Sequence, residues 1–284
     1  MRCWRLARTR RPVTFNDKVR YKLLRDHRPL IVTFADKEAV RHHVGRTVGA
    51  RHLPEQLALL EDAADLVALE LPATFVVKPT HGSGACVVVS TAATAEARLP
   101  RAEHGWTYAH VRPEHADRTA LSAIAAGWLQ KTYGRGPNHE WAYGRVPHRV
   151  VVEELLEGPD GGPPDDVKLF VFHQRCRFVQ VDAARFGART QDFLDRDGRW
   201  LDLTGGHPRS PVAPPPPVRL AEMVDLAEHL GAGTDFVRVD LFCLPDRVVV
   251  GELTSGPAGG DSPFRPAHWN TEFGRTWQVP RRYR

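Results

Sequence analysis

Two acids, Asp240 and Glu252, stand in two runs rich in β-branched residues, FVRVDLFC and VVVGELT, joined through Pro245, Asp246 and Arg247. Runs of this kind around a short polar turn read as a β-hairpin. With those three residues as the turn, Leu244 pairs with Val248, and Asp240 comes to lie opposite Glu252. Directly opposed residues on one face have Cβ atoms ~5 Å apart, where two carboxylates repel unless a cation lies between them. Mg²⁺ suits such a pair, because it takes one or two carboxylates and fills its other positions with phosphate oxygens and water. The competing arrangement is a shifted register in which each acid pairs with an arginine. Arg238 is then the near candidate, since alternation places it on the same face as Asp240.

A second set of groups is suited to phosphate. Of the 39 Lys plus Arg residues only six are lysine, at 18, 22, 37, 78, 131 and 168. In a chain that writes its positive charge as arginine, a lysine draws notice, because ammonium is a compact point charge and guanidinium a planar fork. Lys78 follows the apolar run Phe75, Val76, Val77 and leads into the loop His81-Gly82-Ser83-Gly84. Glycines there allow close backbone approach and leave amide donors for phosphate oxygens. The stretch is neither G-x-x-x-x-G-K-[ST] nor G-x-G-x-x-G, and a plain hairpin loop would read the same. Lys37, Lys168 and the acids Glu153 and Glu154 complete a set that could hold a nucleoside triphosphate with magnesium.

These groups need elements to carry them. Residues 15–27 and 36–48 read as helices with acids in their first turns, and 119–134 and 218–231 as two more. Strands are expected at 71–78 and 86–90 as a hairpin, at 149–154, as a pair within 168–186 turning near His173, and in the hairpin that opens at 236. PVAPPPPV at 211–218 is an extended surface connector. The D-R-D at 195–197, followed by Gly198, reads as a turn and not as a sugar-nucleotide site.

With 284 residues, 42% of them hydrophobic, the chain can build two or three subdomains around one cleft. Cys3, Cys86, Cys176 and Cys243 are widely spaced and suggest neither a zinc knuckle nor a disulfide framework. No membrane span or signal peptide is read, so a cytoplasmic protein is expected. The net charge of +5 gathers partly in basic ends, RLARTRR and RRYR. No aromatic-interleaved basic stripe accompanies them, so nucleic acid is not an expected partner; solvated ends are preferred over peripheral contact with an anionic membrane.

The ordered stretches TFNDKVRYKLL, ADKEAVRHHV, LPATFVVKPTHGSG, HEWAYGRVPHRVVVEELLEG, DVKLFVFHQRCRFVQVDAARF, FVRVDLFCL, VVVGELTSGPAGG and PAHWNTEFG resemble the TupA-like ATP-grasp family. The resemblance implies an α+β fold in which two subdomains clasp ATP. A helical N-terminal region at 1–70 precedes them; the first, with the glycine loop, is at 71–152, and the second, with the metal-binding hairpin, at 153–284. It implies that Lys37 and Lys78 contact the phosphates under the loop of His81, Gly82, Ser83 and Gly84. Glu153 is placed near the adenine amino group, Leu156 in the adenine hinge, Asp160 at the ribose and Lys168 beside base and phosphates. Asp240 and Glu252 correspond to magnesium ligands and Arg238 to the arginine that stabilises an acyl phosphate. Where many relatives have Glu-x-Asn, this chain has Glu252-Leu253-Thr254, whose hydroxyl ligates Mg²⁺ more weakly or through water.

The activity implied is ATP-dependent ligation of a carboxylate to an amine, adding an amino acid or peptide to a cell-surface glycan or its precursor. Arg185, Arg189 and the loop around Gly259 are candidates for holding the carboxylate substrate. The alternatives are a non-catalytic ATP-binding accessory protein, or a glycosyl or phosphoryl transferase of polysaccharide synthesis.

Overall fold

The computed structural model describes residues 11–134, 140–158, 161–184 and 187–284. Its elements in chain order are α1 (Phe15–Arg25), α2 (Pro29–Ala35), α3 (Lys37–Thr47), β1 (Gln56–Leu60), β2 (Phe75–Pro79), β3 (Cys86–Val89), β4 (Tyr108–Val111), α4 (Arg118–Leu129), β5 (Val150–Glu153), β6 (Asp166–Phe172), β7 (Arg175–Ala183), β8 (Thr190–Asp195), α5 (Leu220–Leu230), β9 (Phe236–Cys243), β10 (Val248–Thr254) and α6 (His268–Arg275). They build two five-stranded sheets, ordered β1-β5-β2-β3-β4 and β10-β9-β6-β7-β8.

The first sheet is antiparallel except for the parallel pair β3 and β4. One face buries Phe75, Val77, Val87, Val150 and Val152 against Leu121, Ile124 and Trp128 of α4. Alternation turns Val76, Lys78, Cys86 and Val88 to the other face.

The second sheet is covered on both faces, and its pattern explains where the chemistry lies. On β6, Val167, Leu169 and Val171 enter an aliphatic core with Phe34, Val40 and Val44 of α2 and α3 and with α5. The alternate residues Phe170 and Phe172 join an aromatic cluster with Phe15 of α1, Phe178, Phe236, Phe273 and Trp277. Phe178 stacks on Phe273 with ring centroids 3.5 Å apart, and each buried phenyl ring contributes ~1.5–3 kcal/mol. That same face continues past the rings as Asp166 and Lys168 on β6 and as Arg238 and Asp240 on β9. One end of the face is therefore a packed aromatic core and the other end is a row of charges.

The helices expected as a separate N-terminal region do not stand apart. Phe15 and Val19 of α1 lie in the aromatic cluster, and α2 and α3 close the aliphatic core. Within the same segment, β1 forms the edge of the first sheet beside β5. QLALL lacks both strict alternation and β-branched residues, so its sequence carries little strand signal. The turn near His173 has both His173 and Gln174 at positive φ, the geometry of a tight hairpin whose twist matches its strands.

The last hairpin departs from the expected route. Its connection is one residue longer, because Val248 pairs with Cys243 and not with Leu244. A bulge between Val250 and Glu252 then shifts the register, so that Glu252 does pair with Asp240. Before the bulge Val248 and Val250 point into the aliphatic core; after it Leu253 does. The extra residue is Gly251, where an added Cβ would stand 2.8 Å from the Phe242 ring. Without this bulge the period of two would drive the Glu252 carboxylate into the apolar core. No helix among the described residues is long and apolar enough to cross a membrane.

Candidate functional site

Between the outer face of the first sheet and the charged end of the second lies a cavity of about 370 Å³. Val76 and Val88 give it an apolar wall, while Lys37, Lys78, Lys168 and Arg238 bring positive charge to it. Ser83 and Gly84 roof it and Leu156 closes one side.

Each cation is held by a definite local arrangement. Asp36 caps α3 by accepting from the Glu38 N–H, and the Lys37 N–H donates to Thr80 O at 3.1 Å. The start of α3 is thereby pinned to the base of the glycine loop, and the Lys37 ammonium donates to Gly82 O at 2.5 Å. Burial lowers the Lys37 pKa, an effect opposed by the charge of Glu252. Lys78, on β2, forms an ion pair with Glu153 on the neighbouring β5. Glu153, which lines the cavity, also pairs with Arg41 at 3.0 Å, so this carboxylate holds two cations, one on each oxygen.

Lys168 lies between Asp182 at 3.0 Å and Asp166 at 3.6 Å, and across β6 and β9 it is the direct partner of Asp240. Burial alone would raise the Asp182 carboxyl. The Lys168 charge and hydrogen bonds from Gln191, Lys168 and Gln180 outweigh it and bring the value from 3.8 down to about 2. A depressed carboxyl of this kind stabilises the fold above its ordinary pKa, and the contribution disappears as pH falls from about 4 through about 2. Asp182→Asn is accordingly expected to cost ~2 kcal/mol at neutral pH. It should also flatten the acid limb of stability, as measured by urea unfolding over a pH series; a variant with wild-type acid dependence would contradict the assignment.

Arg238 makes a two-pronged contact with Asp240, Nε to Oδ1 at 2.6 Å and Nη2 to Oδ2 at 2.7 Å, and donates to the Thr254 hydroxyl at 3.2 Å. Register and arginine pairing thus coexist: Asp240 faces Glu252 and also holds Arg238. Burial lowers the Arg238 pKa, but the charge and hydrogen bonds of Asp240 reverse that and keep the guanidinium firmly ionised. Burial raises the Asp240 carboxyl, with Arg238 and Lys168 opposing and Glu252 adding to the rise. Glu252 has no ion-pair partner among the described residues.

Among the described residues no group of three or more His, Cys, Asp or Glu side chains is placed to hold a metal ion. The local donor set is nevertheless all oxygen, from Asp240, Glu252 and Thr254. Two opposed carboxylates fit Mg²⁺ when phosphate oxygens and water complete its shell.

Other expected site residues lie elsewhere. His81 is fully buried, stacked on His148 at 3.7 Å, with its Nε2 near the Trp128 and Lys131 carbonyls. Burial first, then the charge of His148, lowers its pKa to about 4. It is a neutral packing group beneath the loop and not a phosphate contact. Gly82 supplies its carbonyl to Lys37, and its φ of 106° and the Trp106 ring 2.7 Å from any added Cβ require glycine. Arg189 donates to Asp182 at 3.1 Å, the same carboxylate that holds the cavity-lining Lys168, and Gly259 lines a second, adjoining cavity. Asp160 and Arg185 fall outside the described residues.

The sequence reading did not identify Tyr133, Glu140 and Tyr143, which line that adjoining cavity. Tyr133 closes the stretch read as a helix, and Glu140 and Tyr143 follow in one without strand or helix period, so only their convergence in space marks them.

A model of the family described as TupA-like ATPgrasp matches residues 17–278. No curated protein matches the sequence. Among solved structures, the chain is similar to an L-amino acid ligase from Bacillus licheniformis at 16% identity and TM-score 0.46, over 86% of this chain and 49% of that one. It is similar to D-alanine–D-alanine ligase from Bacillus anthracis at 15% identity and TM-score 0.40, over 80% and 58%. For the ATP-grasp ligase PsnB complexed with minimal precursor the values are 13% and 0.41, over 81% and 55%. The chain spans about half the length of these solved proteins.

Proposed function

The chain belongs to the TupA-like ATP-grasp family and has the ATP-grasp fold, and from that premise we propose that it is an ATP-dependent carboxylate–amine ligase working through an acyl phosphate. The observation that carries this reading is the convergence of Lys37, Lys78, Lys168 and Arg238 with the Asp240–Glu252 pair on one cavity between two sheets. The wall of Val76 and Val88 suits a flat base, Leu156 its edge, and the lysines suit the phosphates.

In the proposed reaction a carboxylate oxygen of the acid attacks the γ-phosphorus, the β–γ bridging P–O bond breaks and ADP leaves. The amine nitrogen, as the free base left once its ammonium has given one proton to water, attacks the acyl carbon; the C–O bond to phosphate breaks, and the leaving phosphate takes up the nitrogen's second proton. Lys78 and Lys168 oppose the charge that gathers on the transferring group, and Arg238 holds the oxygen of the acyl centre. Mg²⁺ held by Asp240, Glu252 and Thr254 would supply further charge neutralisation at the phosphates. The loop at Ser83 and Gly84 keeps water from the activated acyl group. We extend the reading to an acid on a cell-surface glycan or its precursor and an amino acid or peptide as the amine.

A ligand that binds only the folded protein stabilises it by mass action, ~2.7 kcal/mol at a hundredfold excess over Kd. ATP with Mg²⁺ is therefore expected to raise Tm by about 5 °C or more, with ATP alone giving much less. ADP release should then require both acid and amine. A phosphorylated product would indicate a kinase, binding without turnover an accessory protein, and no Tm shift with any nucleotide would remove the nucleotide site.

A further inference from the structure

A second cavity, about 210 Å³, adjoins the first and shares Ser83, Arg238 and Glu252 with it. Its remaining wall comes from two places far apart in the chain: Tyr133, Glu140 and Tyr143 on one side, and the turn containing Gly256 and Gly259 on the other. The Tyr133 and Tyr143 rings meet edge to face at 4.8 Å and 79°, which fixes both rings in the wall. Tyr133 lines the cavity together with Ser83 of the glycine loop.

Among the described residues that line this cavity, two acids, Glu140 and Glu252, face one cation, Arg238. Arg238 is committed to Asp240 through two nitrogens and to Thr254. The carboxylates of Glu140 and Glu252 have no ion pair or hydrogen bond to any other described side chain, and they act on one another across the space. Burial, then the charge of Glu252, raises the Glu140 carboxyl above its usual range. Tyr133 and Tyr143 are raised by burial first and by the same two acids after it. A cation between Glu140 and Glu252 would relieve their repulsion, and an ammonium has three donors to share among a carboxylate and phenol oxygens.

We propose that this second cavity receives the primary amine substrate as its ammonium form, with Glu140 as the residue that pairs with it and Tyr133 and Tyr143 as its polar walls. The inference rests on the ligase reading, and it specifies which part of the molecule selects the nucleophile. The cavity is well placed for such a role, since the amine waits beside Arg238 and Glu252, at the edge of the cavity assigned to the triphosphate.

The test uses the whole protein, with and without Mg²⁺ and ADP, and thermal stability as the readout. The probes are the free amino acids and, for each, its N-acetyl form, which has the same side chain and no ammonium. At least one free amino acid is expected to raise Tm beyond the nucleotide effect while its N-acetyl form does not. Glu140→Gln should weaken that amine response, measured against the same variant's own nucleotide response, by about ten- to a hundredfold in apparent affinity. Glu140→Asp, which keeps the charge, should recover part of it, an outcome that a purely structural role for Glu140 would not produce.

The proposal is overturned if no free amine acts, if the acetylated forms act equally, if Glu140→Gln binds amines as the wild type does, or if Mg²⁺ alone produces the Glu140-dependent shift. Failure of the nucleotide response counts instead against the ligase reading. The amine arm without nucleotide remains informative in that case, so the two can fail separately.

Discussion

Lys78→Ala lowers ATP turnover by about a hundred- to a thousandfold, the loss expected when one positioned charge at a developing anion is removed. The protein stays folded, because the structure gives Glu153 a second cation. Arg41 lies 3.0 Å from that carboxylate, so deleting the Lys78 ammonium does not leave a buried anion unpaired. The stability cost is therefore the loss of one charge-assisted contact, about 1–2 kcal/mol. ADP release and thermal unfolding measured on the same preparation separate the two effects. Wild-type turnover in this variant would remove Lys78 from the phosphate site, and outright unfolding would show that its pairing with Glu153 is its main role.

The second large effect belongs to Arg238 and Asp240, which are buried together and joined by two short hydrogen bonds. Breaking a buried pair by removing one member strands the other charge and typically costs ~3–5 kcal/mol. Arg238→Met leaves Asp240 with Lys168 as its remaining cation, and Asp240→Asn leaves Arg238 facing Glu252. Each single variant should lose that much stability in urea unfolding, while the double variant should lose clearly less than the sum, since neither charge is then stranded. Function should not recover with stability. The Mg²⁺-dependent part of the ATP response is expected to be absent in Asp240→Asn and in the double variant alike. Were it retained in Asp240→Asn, the hairpin acids would be structural and the metal assignment would fail.

Much of the fold was legible locally. Thr14 and Asp17 form the reciprocal cap at the start of α1, and Asp36 caps α3, so the first helices begin near the positions their residue types mark. The hairpin of β2 and β3 and the pair β6 and β7 follow from runs of β-branched and aromatic residues around turn-forming ones. β1, β4 and β8 were not legible, since short strands at or beside a sheet edge are selected by the partner they pair with more than by their own residues.

The site shows the same division more sharply. Asp240 and Glu252 were brought opposite each other by counting along a hairpin, yet the molecule reaches that pairing through a longer connection and a compensating bulge at Gly251. Two offsets cancelled, and the hairpin's period of two supplies neither one. His81 illustrates the opposite limit: a histidine in a glycine loop reads equally as a phosphate contact or as a plain turn residue, and packing on His148 and the carbonyls of Trp128 and Lys131 draws its ring inward. Glu153, likewise, is an acid at the end of a buried strand in either view, and only the neighbouring strand and α3 show that Lys78 and Arg41 occupy it.

By itself the sequence determined the residue types of the chemistry, a few lysines in an arginine-rich chain, a glycine loop and two acids on a hairpin, because side-chain chemistry and short-range spacing are properties of the chain alone. It determined the family as well, through the order of those parts along nearly its whole length. Only the tertiary structure decided which charges are already paired, which face of the second sheet becomes a core and which a site, and that Tyr133, Glu140 and Tyr143 meet Arg238 and Glu252 across a second cavity. Those outcomes depend on burial and on contacts between residues distant in the chain, and electrostatic free energy in a protein is set by what surrounds a charge as much as by the charge itself.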